Sequence, residues 1–260
     1  MPQPGSRAQR GCRTAGRTGR GRPPPPPPRP TYPVHGPGTY AWADATSSRI
    51  GTEGRLLRYA IRLEDGTNLD LGEISEEIKG ILADPRGWTG QGAASFQQVD
   101  KAPYDMLISL TSPRTTDALC AQLNAGDTRG EVNCGVAPHL VVNLKRWIEL
   151  SPQYPGRAHA YRTLIINHEV GHVLGHGHRT CPGPGAPAPA MMQQFHGLKG
   201  CTPNPYVYDD NGTLIDGPKV LGGPGRGIGQ NGRPLRVQAC TISRLTKATS
   251  FDRSARIDGD

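Results

Sequence analysis

Eleven consecutive residues, His168-Glu169-Val170-Gly171-His172-Val173-Leu174-Gly175-His176-Gly177-His178, hold four of the chain's eight histidines. On a helix, residues four apart share a face, so His168 and His172 can present imidazole nitrogens to one metal ion. Glu169 lies beside them and is not needed as a ligand. It is free to take a proton from a metal-bound water. Gly175 can adopt the left-handed conformation that ends a helix and turns the chain. His178, three residues on, can then return as a third ligand. Three histidines and a water fill a tetrahedral Zn²⁺ site and leave one position open for chemistry. From the chain's own residue frequencies, the five fixed residues coincide with a probability of about 10⁻⁷ per position, so the pattern is not read as chance.

Two plainer readings stay open on residue types alone: a helix with surface histidines, and a zinc site that only holds the fold. Glu169 and the presence of only three ligands weigh against the second. His176 would continue the 168–172 face if the helix ran on, and Gly175 argues that it does not. His176 is therefore placed outside the ligand set. His35, His139, His159 and His196 are isolated and read as surface or packing residues.

The elements that must position these residues are legible from periodicity. Leu57 to Leu63 alternates apolar and polar residues, as a half-buried strand does. Asp65-Gly66 is a turn signal. Leu71, Ile74, Ile78 and Leu82 follow at helical spacing, and Asp84-Pro85 ends that helix. Ala93 to Val99, Met106 to Leu110 and His139 to Leu144 read as further strands. Helical spacing returns at Ala158 and runs through Tyr161, Leu164 and Ile165 into the histidine segment. Alternating strands and helices predict an α+β (mixed α/β) fold.

The 260 residues cannot all pack into one core. Hydrophobic residues make up 35% and aromatics 5%, with 35 Gly and 26 Pro, so part of the chain is expected to be disordered. Six prolines, Pro23 to Pro28, form a polyproline II rod, read as a spacer. No apolar run approaches the ~20 residues that span a bilayer. The net charge of +8 sits in the ends of the chain, while residues 31–216 carry 15 basic and 19 acidic side chains. With no recognised binding motif beside that charge, a nucleic-acid partner is not expected. Gly222-Gly223-Pro224-Gly225 reads as flexible linker, so no nucleotide cofactor is expected either.

Six cysteines include two local pairs, Cys120 with Cys134 and Cys181 with Cys201. Four cysteines allow three connectivities, of which local pairing is the simplest; free buried thiols are the alternative. Paired cysteines imply an oxidising compartment. The first 30 residues contain no hydrophobic signal-peptide region. The conflict is resolved in favour of export, secreted or at the cell surface, with a misplaced start codon.

HEVGHVLGHGH resembles the extended zinc motif of the metzincin clan of metallopeptidases, H-E-x-x-H-x-x-G-x-x-H. Ala188-Pro189-Ala190-Met191-Met192 is the right kind of segment for that clan's methionine turn. The wider context resembles an actinobacterial family of predicted secreted, metzincin-like proteins, known mainly as a domain of unknown function. The residues that carry this are Tyr161-Arg162 and Asn167, Cys181 to Gly185, Gln193-Gln194, Gly200-Cys201 with Pro203-Asn204-Pro205, Asp84 to Thr89, and Asn143 to Trp147. The likeness covers about residues 56–206.

The resemblance implies a twisted mixed sheet over an active-site helix. It implies zinc on His168, His172 and His178, Glu169 as general base, and Met191 as turn methionine, with Met192 the adjacent candidate. Tyr206 and Tyr208 are possible further ligands that no motif fixes. Residues 1–48 are then read as an Arg/Pro-rich disordered tail, 49–212 as the zinc peptidase domain, and 213–260 as a Gly-rich basic tail, also disordered. The expected activity is peptide-bond hydrolysis on a substrate held in extended form along an edge strand, placed among residues 104–111 or 138–144. A monomer is expected. The competing readings are a non-catalytic, zinc-stabilised extracellular binding module, a zinc amidase acting on cell-wall material, and an interaction protein working through its Pro- and Arg-rich tail.

Overall fold

A computed structural model describes residues 32–45 and 48–220. The polyproline run, Cys12, Cys240 and most of both expected tails lie outside the described residues. Seven strands and four α-helices alternate along the chain: β1 (Tyr40–Trp42), β2 (Arg49–Ile50), β3 (Arg55–Glu64), α1 (Leu71–Ala83), β4 (Ala94–Gln98), β5 (Met106–Thr111), α2 (Pro113–Gln122), β6 (Cys134–Val136), β7 (His139–Asn143), α3 (Leu144–Glu149) and α4 (Ala158–Val173). The α/β mixture expected from periodicity is present.

The strands form one mixed sheet in the order β2-β4-β3-β5-β7-β6. β4, β3, β5 and β7 run parallel to one another, while β2 and β6 close the two ends antiparallel. Ten-residue β3 is the central strand. β4 pairs with its first half and β1 with its last three residues. The alternation in β3 puts Leu57, Tyr59, Ile61 and Leu63 on one face, where they bury against Ile74, Ile78 and Leu82 of α1 and Ile165, Ile166 and Val170 of α4. α2 covers β6 and β7 on the other face, around Cys120, Cys134 and Val141.

Local chemistry sets the helix boundaries. The Asp70 carboxylate accepts from the Glu73 N–H at 2.9 Å and caps α1. Asp84, held extended by the proline that follows, ends it. Five elements escaped the periodicity reading: the helices α2 and α3 and three short strands. β1, β2 and β6 have two or three residues each, too few for alternation to register.

The described structure extends past residues 49–212 at both ends. β1 precedes that span and pairs with β3, and residues 213–220 continue past it along the histidine loop. The reason at the front is one buried carboxylate. Glu64 accepts from the N–H groups of Gly38 and Ser112 and from the Thr115 hydroxyl, so it ties the incoming chain to the β5–α2 junction.

The expected placing of the substrate edge strand is also corrected. β5 lies between β3 and β7, and β7 lies between β5 and β6. Neither is an edge; among the described residues the edges are β2 and β6.

Both local cysteine pairs are disulfides, Cys120–Cys134 and Cys181–Cys201. They are compatible with an extracellular protein. None of the described helices is long and apolar enough to cross a membrane. The first bridge ties α2 to the edge strand, and the second encloses the segment that contains Met191. Replacing Cys181 and Cys201 together by alanine reopens a loop of 20 residues. The unfolding free energy is expected to fall by ~3 kcal/mol in the chain-entropy account, read from the denaturant midpoint.

Candidate metal centre

α4 carries His168, Glu169 and His172 on its last two turns and stops at Val173. Gly175 follows at φ +90°, in the left-handed region. The His176 N–H donates to the Gly171 carbonyl (2.8 Å) and the Gly175 N–H to the His172 carbonyl (3.0 Å), the paired bonds of a glycine-terminated helix. The chain turns back there and returns His178 to the helix face.

Three imidazoles converge as a result. His172 Nε2 lies 3.2 Å from His168 Nε2 and 3.2 Å from His178 Nε2. The His172 ring stands nearly perpendicular to the other two, at 88° and 78°. Each outward nitrogen of the two helical ligands meets a carbonyl: His168 Nδ1 is 2.9 Å from Ala190 O, and His172 Nδ1 is 2.9 Å from His176 O. An Nδ1–H donated there leaves the Nε2 lone pair aimed inward. Burial, followed by the charge of His172, pushes His168 down to about 3 and His178 down to about 4; burial lowers His172 as well. All three are therefore neutral donors at physiological pH.

The set fits a metal ion. Nitrogens bound tetrahedrally at ~2.0–2.1 Å stand about 3.3 Å apart, close to the spacing here. An imidazole donor set of this kind suits zinc, copper, iron and nickel.

Glu169 lies on the neighbouring face of α4 and is 5% exposed. Its Oε2 has no hydrogen-bond partner among the described residues. Desolvation raises its pKa from 4.5 to about 8. The carboxylate packs against the edge strand at Gly135, where an added Cβ would stand 2.3 Å from Oε2. A glycine is needed in β6 because the carboxylate fills the place of a side chain.

Other residues brace this arrangement from behind. The Trp88 indole N–H donates to the Asn167 carbonyl at 2.7 Å, and the Asn167 amide donates to Pro205 O at 3.0 Å. The Trp88 ring stacks on His176, centroids 4.6 Å apart, so His176 turns away from the triad. Met191 lies against α4 at Gly171, where a Cβ would meet its Sδ at 2.2 Å and Trp88 Cζ2 at 2.8 Å. Met192 faces a separate cluster with Ala188 and Cys201. Of the adjacent pair, Met191 is the methionine beneath the histidine helix. Gly171→Ala is expected to destabilise the protein by ~1–3 kcal/mol through overpacking, seen as a lower thermal midpoint.

The rings of the two tyrosines pack beside residues 86–90. Arg86 lies over the Tyr206 ring at 3.6 Å, and Tyr208 packs beside Gly90. Gly135 and the 214–220 segment were not singled out as parts of the site by sequence reasoning. A lone glycine beside a cysteine in a three-residue strand carries no signal of its own.

No curated protein and no solved structure matches the chain. Residues 26–213 match the family described as protein of unknown function (DUF3152). That span is more than half of the 260 residues, and the chain belongs to the DUF3152 family.

Proposed function

We propose that this protein is a secreted, zinc-dependent endopeptidase of the metzincin kind. The observation that carries this reading is the convergence of three neutral imidazoles beside a buried carboxylate that faces an edge strand. The glycine turn after α4, Met191 under Gly171 and the antiparallel edge strand β6 all support it.

Zinc held by His168, His172 and His178 would supply Lewis acidity toward the scissile carbonyl and toward the attacking water. Glu169 accepts the proton of that water and hands it to the leaving amine. Desolvation makes the ionised Glu169 carboxylate a stronger base, which favours taking up the water's proton. The two Nδ1–carbonyl contacts keep the ligand rings from rotating. Strand β6, unpaired on its outer side among the described residues, offers backbone groups to an extended substrate segment.

The test uses the full chain, purified oxidised, and its Glu169→Ala variant. Both are assayed for bound zinc and given a mixed peptide library. The expected result is about one zinc in each by the ligand count, with cleavage by the parent alone and a loss of ~10²–10⁴-fold in the variant. Zinc in both and cleavage by neither favours the binding module or a non-peptide amide substrate. Metal in neither overturns the ligand assignment.

A further inference from the structure

The family's matched span ends at residue 213, but the chain does not leave the metal centre there. Residues 214–220 run back along the segment that carries His178. The Ile215 N–H donates to Val207 O (2.9 Å), the Thr180 N–H to Pro218 O (2.9 Å), and the Val220 N–H to the carbonyl of His178 itself (3.1 Å). Arg179 bridges Lys219 antiparallel on this side.

On its other side the same segment is held by the methionine turn. The Arg179 N–H donates to Met191 O (3.0 Å), and Arg179 bridges Met192 in parallel. His178–Thr180 is thus a middle strand between Met191–Met192 and the 214–220 strap.

The strap lies flat on the ligand segment. A Cβ on Gly217 would stand 2.1 Å from the carbonyl oxygen of Thr180 and 3.1 Å from Pro189 Cγ. Only glycine permits that approach. Arg179 Nε also donates to Asp216 Oδ1 at 2.7 Å, with the carboxylate 46% exposed. An ion pair so open to solvent adds little, so the backbone docking at Gly217 dominates.

The ligands differ in what holds them. His168 and His172 are fixed by α4, whereas His178 follows Gly175 and Gly177 in a stretch outside any helix or named strand. Ordering such a stretch at the moment of metal binding costs conformational entropy, and neighbours that order it beforehand remove that cost. We propose that residues 214–220, docked through Gly217, form a positioning strap that presets His178 as the third metal ligand. This inference rests on reading the triad as a metal site.

The test compares the full-length parent with Gly217→Val and Asp216→Ala. Zinc affinity is measured by competition with a chromophoric chelator, coordination by the visible spectrum of the cobalt(II) forms, and folding by thermal unfolding of the metal-free proteins. Gly217→Val is expected to bind zinc about 10–100-fold more weakly, the range seen when groups that orient a ligand are lost. Its cobalt bands should lose intensity as tetrahedral geometry is lost, with the metal-free midpoint little changed. Asp216→Ala should change the affinity less, in the same direction. Variants with the parent's affinity and cobalt spectrum overturn the strap alone. A fall in the metal-free midpoint with unchanged affinity also overturns it. A parent that binds no zinc overturns the triad reading, and the strap with it.

Discussion

Replacing His172 by alanine should weaken metal binding by more than the ~100-fold that follows loss of an outer hydrogen-bond partner. His172 is the hub of the triad. Its Nε2 is 3.2 Å from each of the other two, whose own rings stack with centroids 5.2 Å apart. Removing it leaves two donors where a tetrahedral site needs three plus solvent. His176→Ala is the control. That ring stacks on Trp88, while the group that orients His172 is the His176 backbone carbonyl, which alanine keeps. The control is expected to stay within about tenfold of the parent, because a stacking contact is worth only ~0.5–1.5 kcal/mol. Zinc stoichiometry after dialysis reads both. If His176→Ala loses the metal and His172→Ala keeps it, the ligand set is wrong.

The second large effect is on the metal-free protein, where Glu169→Gln should raise stability at alkaline pH and leave it unchanged in acid. The folded-state pKa of Glu169 is raised from 4.5 to about 8 by desolvation. Below pH 4.5 the carboxyl is protonated whether the chain is folded or not, and glutamine gains nothing over it. Between 4.5 and 8 the unfolded chain releases the proton and the folded chain keeps it, so stability falls as pH rises. Above 8 the full cost of burying the ionised carboxylate is present, on the order of 5 kcal/mol. Glutamine removes that cost. The difference between the parent and variant midpoints, followed from pH 4.5 to 9, should therefore open with rising pH. A difference that stays flat across this range would mean that Glu169 is solvated in solution.

These effects follow from the same feature, a site placed between the end of a helix and the edge of a sheet. Glu169 is buried because Gly135 lets the edge strand come close. His178 reaches the triad because Gly175 stops α4 two residues past its last helical one. Disulfides hold both flanks: Cys120–Cys134 anchors the edge strand to α2, and Cys181–Cys201 encloses the Met191 segment.

Much of this was legible in the chain alone because its causes are local. The 3.6-residue spacing in α1 and α4, the alternation in β3 and the proline after Asp84 act over a few residues. Helical geometry by itself puts His168 and His172 on one face, and a glycine seven residues after the first histidine permits the return of His178. The two short-range cysteine pairs are local for the same reason.

What the linear pattern did not carry are relations between distant segments. β6 is an edge because, among the described strands, it pairs with β7 alone, a property of strand order that no three residues encode. The unpaired Glu169 oxygen depends on Gly135, 34 positions earlier. Met191 rather than Met192 lies under the helix because of how the loop closes over Gly171. The strap at 214–220 was read as part of a Gly-rich basic tail, yet backbone hydrogen bonds dock it on His178 and Thr180. Backbone pairing is nearly independent of side-chain type, so composition is silent about it. Residue types and short spacing specified which groups can do chemistry. Tertiary packing alone decided which of them meet and which are kept from water, because desolvation and edge position arise only when remote segments close on one another.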